Sequence, residues 1–283
     1  MKKIVITGAT DGIGKICAIE IGKLGYHLIL IGRNEGKLKD LRENTLKDLP
    51  KVDSFTCDLS SVQDTISLGQ TLLKKYPHID VLLNNAGAFF SEHELTKEGI
   101  ESTFALNHLN YFVLATTLLP SLRASEDARI VNVASRAHMG VELEFQNLLG
   151  ERKYSGWKHY QRSKLMNIYF TYELAERLKS SHVAVNCLHP GFVKTKFGHN
   201  NKGLAKSLVQ WGQNLFAISE EDGARTSIFL ATSSEVKNVT GKYYSNQKEK
   251  KSSDVSYDIA IRQKLWHFTE STLKEKFNFA VSI

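Results

Sequence analysis

Cysteine is scarce: Cys17, Cys57 and Cys187 are all that 283 residues contain, far apart and each among apolar neighbours. An odd, scattered set builds no disulfide framework, so buried reduced thiols in a cytoplasmic protein are expected. Long apolar runs are missing too, and none approaches the roughly 18 to 20 residues that cross a bilayer. The first strand pattern begins at residue 4, so neither a secretory leader nor an integral membrane segment is expected. Ten histidines occur without H-E-x-x-H or other metal-ligand spacing, so no metal site is expected. Acidic residues number 30 against 37 basic ones, a net charge of +7. The lysines are dispersed, and the densest cluster, Lys248, Lys250 and Lys251, is interrupted by Glu249 in a polar stretch read as a loop. No helix-turn-helix, zinc-ligand or RNA-binding pattern accompanies them, so the charge reads as a solvated surface and no nucleic-acid partner is expected.

What remains is an ordinary globular balance, 42% hydrophobic and 24% charged, with ample length for a core. Short runs rich in Val, Ile and Leu recur at 4–7, 27–31, 52–56, 79–83, 129–133, 183–188 and 241–244. Helical patterns lie between them at about 12–24, 35–47, 61–75, 97–122, 156–179 and 220–231, with another near 257–273. The alternation predicts an α/β fold: a doubly wound, Rossmann-like sheet of about seven parallel strands with helices on both faces. No linker divides it, so 1–283 is expected to be a single domain.

Ligands of such a sheet bind beyond the carboxyl ends of its strands. The residues there read Gly32-Arg33-Asn34, Cys57-Asp58-Leu59, Asn84-Asn85-Ala86-Gly87, Ala134-Ser135-Arg136 and His189-Pro190-Gly191. The first strand leads into Thr7-Gly8-Ala9-Thr10-Asp11-Gly12-Ile13-Gly14. Glycines between a strand and a helix leave backbone N–H groups and the positive helix end at one point, open to a pyrophosphate. Three residues separate the first two glycines, unlike G-x-G-x-x-G, and an ordinary glycine turn is the alternative.

Chemistry is suggested by Tyr160-Gln161-Arg162-Ser163-Lys164. Residues four apart on a helix share a face. A phenol with a pKa of about 10 is a poor base at neutral pH, but a nearby ammonium favours the phenolate. Tyr154 with Lys158 and Tyr244 with Lys248 show the same spacing. Gly156 weakens a helix at the first, and the second runs from a strand end into polar residues. Tyr160 alone starts a run without Gly or Pro, with Ser163, Lys164 and Asn167 on its face. Ser135, closing the fifth strand, is then placed to face that helix and donate to a carbonyl oxygen.

These motifs resemble the short-chain dehydrogenase/reductase family over essentially the whole chain. T-G-x-x-x-G-x-G falls on Thr7, Gly8, Gly12 and Gly14, and N-N-A-G on Asn84 to Gly87. The family serine and Y-x-x-x-K fall on Ser135, Tyr160 and Lys164, its helix asparagine on Asn107, and P-G-x-x-x-T on Pro190, Gly191 and Thr195. The resemblance implies that Tyr160 exchanges a proton with the substrate oxygen while Ser135 holds that oxygen. It implies that Lys164 binds the nicotinamide ribose and lowers the Tyr160 pKa, and that Asn107 holds a relay water. Thr195 is implied at the carboxamide with Val193 nearby, Asp58 and Leu59 near the adenine, and Thr10, Asp11 and Ile13 in the loop. Asn85, Ala86 and Gly87 are implied to line the cofactor. Two second readings stay open: Asn85 as a tie between strands, and Asn107 as a satisfied core amide. A homodimer or homotetramer is the expected assembly.

An NAD site needs an acid after the second strand, and here Gly32-Arg33 stands instead. A guanidinium pairs with a 2′-phosphate and stacks on adenine, so NADP(H) is the expected cofactor. Lys37 reads as a solvated helix lysine. The irregular stretch after Pro190, about 192–219, is expected to cover the substrate. Leu204, Leu208, Trp211 and Leu215, flanked by Phe197 and Phe216, read as core or as a lid over an apolar pocket. His138 and His159 read as incidental polar neighbours of Ser135 and Tyr160. Val239 to Tyr244 and Leu265-Trp266 resemble the retinol dehydrogenase and WW-domain oxidoreductase branch, and protochlorophyllide reductases are similar. That branch implies a lipophilic small-molecule carbonyl or alcohol as substrate. The alternative is a catalytically silent NADP-binding sensor, against which Asn107, Ser135, Tyr160 and Lys164 stand as a complete set.

Overall fold

A computed structural model describes residues 1–49, 51–191 and 219–283. Val193, Thr195, the stripe Leu204, Leu208, Trp211 and Leu215, and the flanking Phe197 and Phe216 lie outside the described residues. The same holds for all of the expected substrate-covering segment except Ser219.

Strands β1 (Lys3–Thr7), β2 (His27–Gly32), β3 (Val52–Thr56), β4 (Val81–Asn84), β5 (Arg129–Val133), β6 (Ala184–His189) and β7 (Lys242–Ser245) pair in parallel. The sheet order is β3-β2-β1-β4-β5-β6-β7, extended at the β7 edge by β8 (Lys248–Lys250). Successive side chains of a strand face opposite sides. In β1, Val5 joins a core with Ile29, Leu82 and Ile130, while Ile4 and Ile6 join another with Leu28, Leu83 and Val131. The first core is closed by α3 (Val62–Lys75), α5 (Asn110–Thr117), α7 (Gly156–Arg177) and α9 (Ile259–Phe277), through Leu72, Phe112, Phe170 and Trp266. The second is closed by α1 (Gly12–Lys23) and α8 (Glu220–Thr232), through Ile21 and Leu230. Both faces are therefore apolar, which is why the strands read as unbroken hydrophobic runs rather than alternating ones.

Three departures from the sequence expectations have local causes. The Lys248 to Lys251 stretch contains an antiparallel strand, β8, instead of only a polar loop. Asn246 and Gln247, at φ +50° and +60°, make the two-residue turn that lets it fold back on β7. Its exposed Lys-Glu-Lys sequence blunts the sheet edge. The helix expected over 97–122 is broken into α4 (Ser102–Phe104), a π turn Ala105–Leu109, α5 and α6 (Leu119–Arg123). Finally, α9 runs on to Phe277, where Asn278 takes the left-handed conformation that ends it. All three cysteines are buried and free. Among the described residues, no helix is long and apolar enough to cross a membrane.

Candidate active site

Strand order reverses at β1: β2 and β3 lie on one side, β4 onward on the other. The loops leaving β1 and β4 diverge there, and the crevice between them is where doubly wound sheets hold ligands. Among the described residues, five α-helices begin with a side-chain cap: Asn34 before α2 (Glu35–Asp40), Ser61 before α3, Glu101 before α4, Ser219 before α8 and Asp258 before α9. Asp11, before α1, makes no such bond. Asp11 therefore supplies no cap to the first-turn N–H groups of α1, which lie at the positive end of the helix. Gly8 sits at φ +66°, and a Cβ there would lie 3.0 Å from the Ala86 Cα. A Cβ on Gly14 would collide with the Gly8 carbonyl oxygen and come within 2.6 Å of Asn85 Nδ2. The loop closes only with glycine at these points, and its donor set fits a phosphate.

Thr7 and Asn85 tie the two sides of the crevice together. The buried Thr7 hydroxyl accepts from Asn85 N (2.8 Å) and Ala86 N (2.9 Å), and Asn85 Nδ2 donates to the Thr7 carbonyl (2.8 Å). Asn85 acts as a tie between strands in this geometry. Asn84 Nδ2 donates to Asn132 Oδ1 (2.9 Å) and Asn132 Nδ2 to Thr171 Oγ1 (3.0 Å), a buried ladder reaching α7.

Asn107 occupies the middle of the π turn. Its Oδ1 accepts from Ala88 N (2.9 Å), and its Nδ2 donates to the Ala88 carbonyl (2.9 Å) and Ser163 Oγ (3.0 Å). Both the oxygen and the nitrogen of the side-chain amide are engaged. Gly87 lies against this amide and Lys164: its Cβ would stand 3.1 Å from Asn107 Oδ1 and 3.3 Å from Lys164 Nζ.

Beside Asn107, α7 carries Tyr160, Ser163, Lys164 and Asn167, all buried. The Ser135 hydroxyl, at the end of β5, hydrogen-bonds Tyr160 and also accepts from Ala137 N (3.1 Å). Burial pushes the Tyr160 phenol up to about 12, with the Ser135 bond working the other way. Lys164 Nζ lies 5.7 Å from the Tyr160 ring centre and donates to the Val133 carbonyl (3.2 Å). Burial pulls that ammonium down to about 8. The expected depression of the phenol by Lys164 does not appear, because the amine is turned to Val133 and desolvation dominates. Tyr154 precedes α7 and bonds the Phe90 carbonyl (3.2 Å) and Glu101 (3.3 Å). Tyr244 lies on β7, packed on Phe229. Neither is placed with Ser135.

At the far end of the crevice, Arg33 is exposed and has no ion-pair partner among the described residues. Thr10 packs over Gly32, where a Cβ would lie 2.8 Å from its methyl group. Lys37 is not merely solvated, since its amine pairs with Asp11 at 2.6 Å. Asp58 accepts from Ser60 N (3.1 Å) and Ser60 Oγ (2.7 Å), a local turn, with Leu59 buried beside it. Pro190 and Gly191 follow β6 and are half-buried.

Phe89 and Trp157 went unread in the sequence. Trp157 stacks on Tyr160 (5.7 Å between ring centres), Phe89 meets the same ring edge-on (6.1 Å), and Trp157 is 52% exposed. The signal was present, since Trp157 lies one helical turn before Tyr160. His138 and His159 are both buried. His159 stacks on Tyr154 (4.4 Å), and both ring nitrogens of His138 are bonded, so it is not incidental.

The description "short chain dehydrogenase" matches residues 2–203 as a family profile. Retinol dehydrogenase 14 of Mus musculus is 35% identical over 286 residues, covering 95% of this chain and 85% of that protein. Polyprenol dehydrogenase of Homo sapiens is 37% identical over 275 residues, covering 93% and 82% respectively. Among solved structures, an uncharacterized protein from Mycobacterium paratuberculosis superimposes with a TM-score of 0.79 at 25% identity, covering 100% of this chain and 96% of that one.

Proposed function

Because the chain belongs to the short-chain dehydrogenase family, oxidoreductases that use a nicotinamide cofactor, we propose that it interconverts a carbonyl and an alcohol on a lipophilic small molecule with NADP(H). The observation that carries this reading is the cluster at the end of β5, where the half-buried Ser135 hydroxyl acts on the buried Tyr160 phenol and Lys164 Nζ stands 5.7 Å from the phenol ring. Retinol and polyprenol, named for two relatives, are both long apolar alcohols, and the Phe89 and Trp157 rings beside Tyr160 suit an apolar substrate.

The loop from Gly8 to Gly14 would hold the pyrophosphate at the start of α1. Arg33 would take the 2′-phosphate, Asp58 and Leu59 the adenine side, and Lys164 the nicotinamide ribose. Pro190, Gly191, Val193 and Thr195 would stand at the nicotinamide end. The bound cofactor supplies or accepts the hydride. Tyr160 then supplies the proton: with its phenol pushed up to about 12 it is protonated at neutral pH, the form that donates to a carbonyl oxygen undergoing reduction. Ser135 donates to the same oxygen and holds it in place. Lys164, charged below about 8, would donate to the ribose hydroxyls beside Tyr160. Asn107 would hold a water that returns the proton. The buried free thiols suit a reducing, cytoplasmic setting.

The test is NADPH oxidation followed against a panel of aldehydes, ketones and quinones, with Tyr160→Phe beside the wild type. Turnover that disappears in the variant supports the reading. NADPH binding without turnover of any carbonyl by the wild type favours a cofactor sensor instead.

A further inference from the structure

His138 joins the site to a distant part of the chain. Its ring is 1% exposed. Nε2 lies 3.0 Å from the backbone N of Ser253, and Nδ1 lies 2.6 Å from the carbonyl oxygen of Ser135. A backbone N–H can only donate, so Nε2 must accept and the ring proton must sit on Nδ1. That proton points at the Ser135 carbonyl, which can only accept. Both ends of the bridge demand the same neutral tautomer.

The far end is firmly anchored. Ser253 leads into the short 3₁₀ turn Asp254–Tyr257, and neighbouring Ser252 Oγ bonds Tyr172 OH (2.7 Å) and Ser256 Oγ (2.6 Å). The near end is Ser135, whose carbonyl also accepts from His138 N (3.2 Å). Around the ring stand the Tyr243 edge, 5.2 Å between centres, and His189 at electrostatic range, itself also within range of Arg136. No carboxylate is among these neighbours.

We propose that His138 is a positioning residue for Ser135: its neutral, Nδ1-protonated ring clamps the serine backbone to the C-terminal segment at Ser253 and keeps the Ser135 hydroxyl on Tyr160. Protonation places a hydrogen on Nε2 facing the Ser253 N–H, two donors in opposition, and the clamp opens. Burial holds the ring below the ordinary histidine value, so the clamp stays closed at neutral pH and opens only as the solution turns acid.

This inference rests on the proposed oxidoreduction for its kinetic arm alone. On the full-length wild type, ¹⁵N-histidine NMR should show His138 neutral with its proton on Nδ1 at pH 7. Hydrogen exchange at the Ser253 amide should speed up in His138→Ala. Either an Nε2-protonated ring or unchanged Ser253 exchange overturns the clamp, whether or not a substrate is known. With a carbonyl that the wild type reduces, His138→Ala should lower kcat about tenfold or more, since small misplacements near the chemistry act on that scale. NADPH Kd should stay within about twofold, and the acid limb of kcat against pH should vanish. His138→Gln, whose side-chain oxygen can accept from Ser253, should recover part of kcat without the acid limb. A wild-type kcat and pH profile in His138→Ala refutes the clamp. Wild-type NADPH binding with no turnover of any carbonyl, beside the expected tautomer and exchange, counts against the oxidoreduction and leaves the clamp standing.

Discussion

Asn107 Nδ2 donates to Ser163 Oγ over 3.0 Å, and this bond ties the π turn to the helix that carries Tyr160 and Lys164. The serine oxygen in turn donates to the Tyr160 carbonyl at 2.7 Å. The backbone of the candidate proton donor is therefore held, through two side chains, to the segment after β4. π turns break the regular helical ladder and recur at functional sites. Here the break presents the side-chain amide to both Ala88 and Ser163.

Asn107→Ala should destabilise the protein and disturb the site together. It strands Ala88 N and the Ala88 carbonyl in a half-buried place, each costing at most about 1–3 kcal/mol when left unpaired, and it removes the donor to Ser163 Oγ, which keeps its own bond to the Tyr160 carbonyl. A drop in melting temperature of several degrees and a lower kcat are expected, read by thermal denaturation and NADPH oxidation. Ser163→Ala, losing the acceptor for Asn107 and the donor to the Tyr160 carbonyl, should show a smaller fall in both. Equal melting temperatures for all three proteins would remove the tie.

Tyr160→Phe should cut turnover about a hundredfold or more, as loss of a positioned acid does, with NADPH Kd nearly unchanged. Tyr154→Phe should keep turnover but cost about 1 kcal/mol of stability, because its hydroxyl bonds Phe90 and the buried Glu101. Tyr244→Phe should leave turnover unchanged. A dead Tyr154→Phe with an active Tyr160→Phe would reverse the assignment.

The sheet was legible because burial on both faces leaves β1 and β2 with no polar alternation to confuse the pattern, and the glycine loop because Gly8 and Gly14 admit no Cβ. The edge strand β8 was not, since its turn uses Asn246-Gln247 rather than a glycine and its three residues are charged. The π turn was invisible because Ala105 to Leu109 are ordinary helix formers, and only tertiary bonds to Ala88 and Ser163 favour the bulge. His138 was misread for the same reason: its partner Ser253 lies too far along the chain for any local pattern to pair them.

Cofactor choice should turn on Arg33 and, through Asp11, on Lys37. Arg33→Ala should lose most of the preference for NADPH over NADH, a charge-assisted contact being worth roughly 1.5–3 kcal/mol. Lys37→Ala removes the cation paired with the Asp11 carboxylate at the loop. That charge repels a further phosphate, so NADPH should weaken more than NADH, and less than in Arg33→Ala because the pair is half-exposed. Fluorescence titration of both cofactors against each variant is the check. Equal Kd values for NADPH and NADH in the wild type would sink the NADP(H) assignment.

Between pH 7 and 9.5 the Lys164 ammonium should govern cofactor affinity. Burial brings it down to about 8, so it is charged below that pH and neutral above it. The buried thiols and Tyr160 are pushed up to about 12, and the buried His138 and half-buried His189 are lowered from the ordinary histidine value, so these titrate outside the window. The 2′-phosphate has already completed its ionisation, which occurs near pH 6. NADPH Kd should therefore rise as pH passes 8, the ammonium losing its charge as a donor to the ribose. In Lys164→Met binding should be weaker at pH 7 and flat across the window. In Arg33→Ala binding should also be weaker, yet keep the wild-type slope, because Lys164 is untouched. A flat wild-type Kd, or a slope that survives in Lys164→Met, would show that another group carries the dependence.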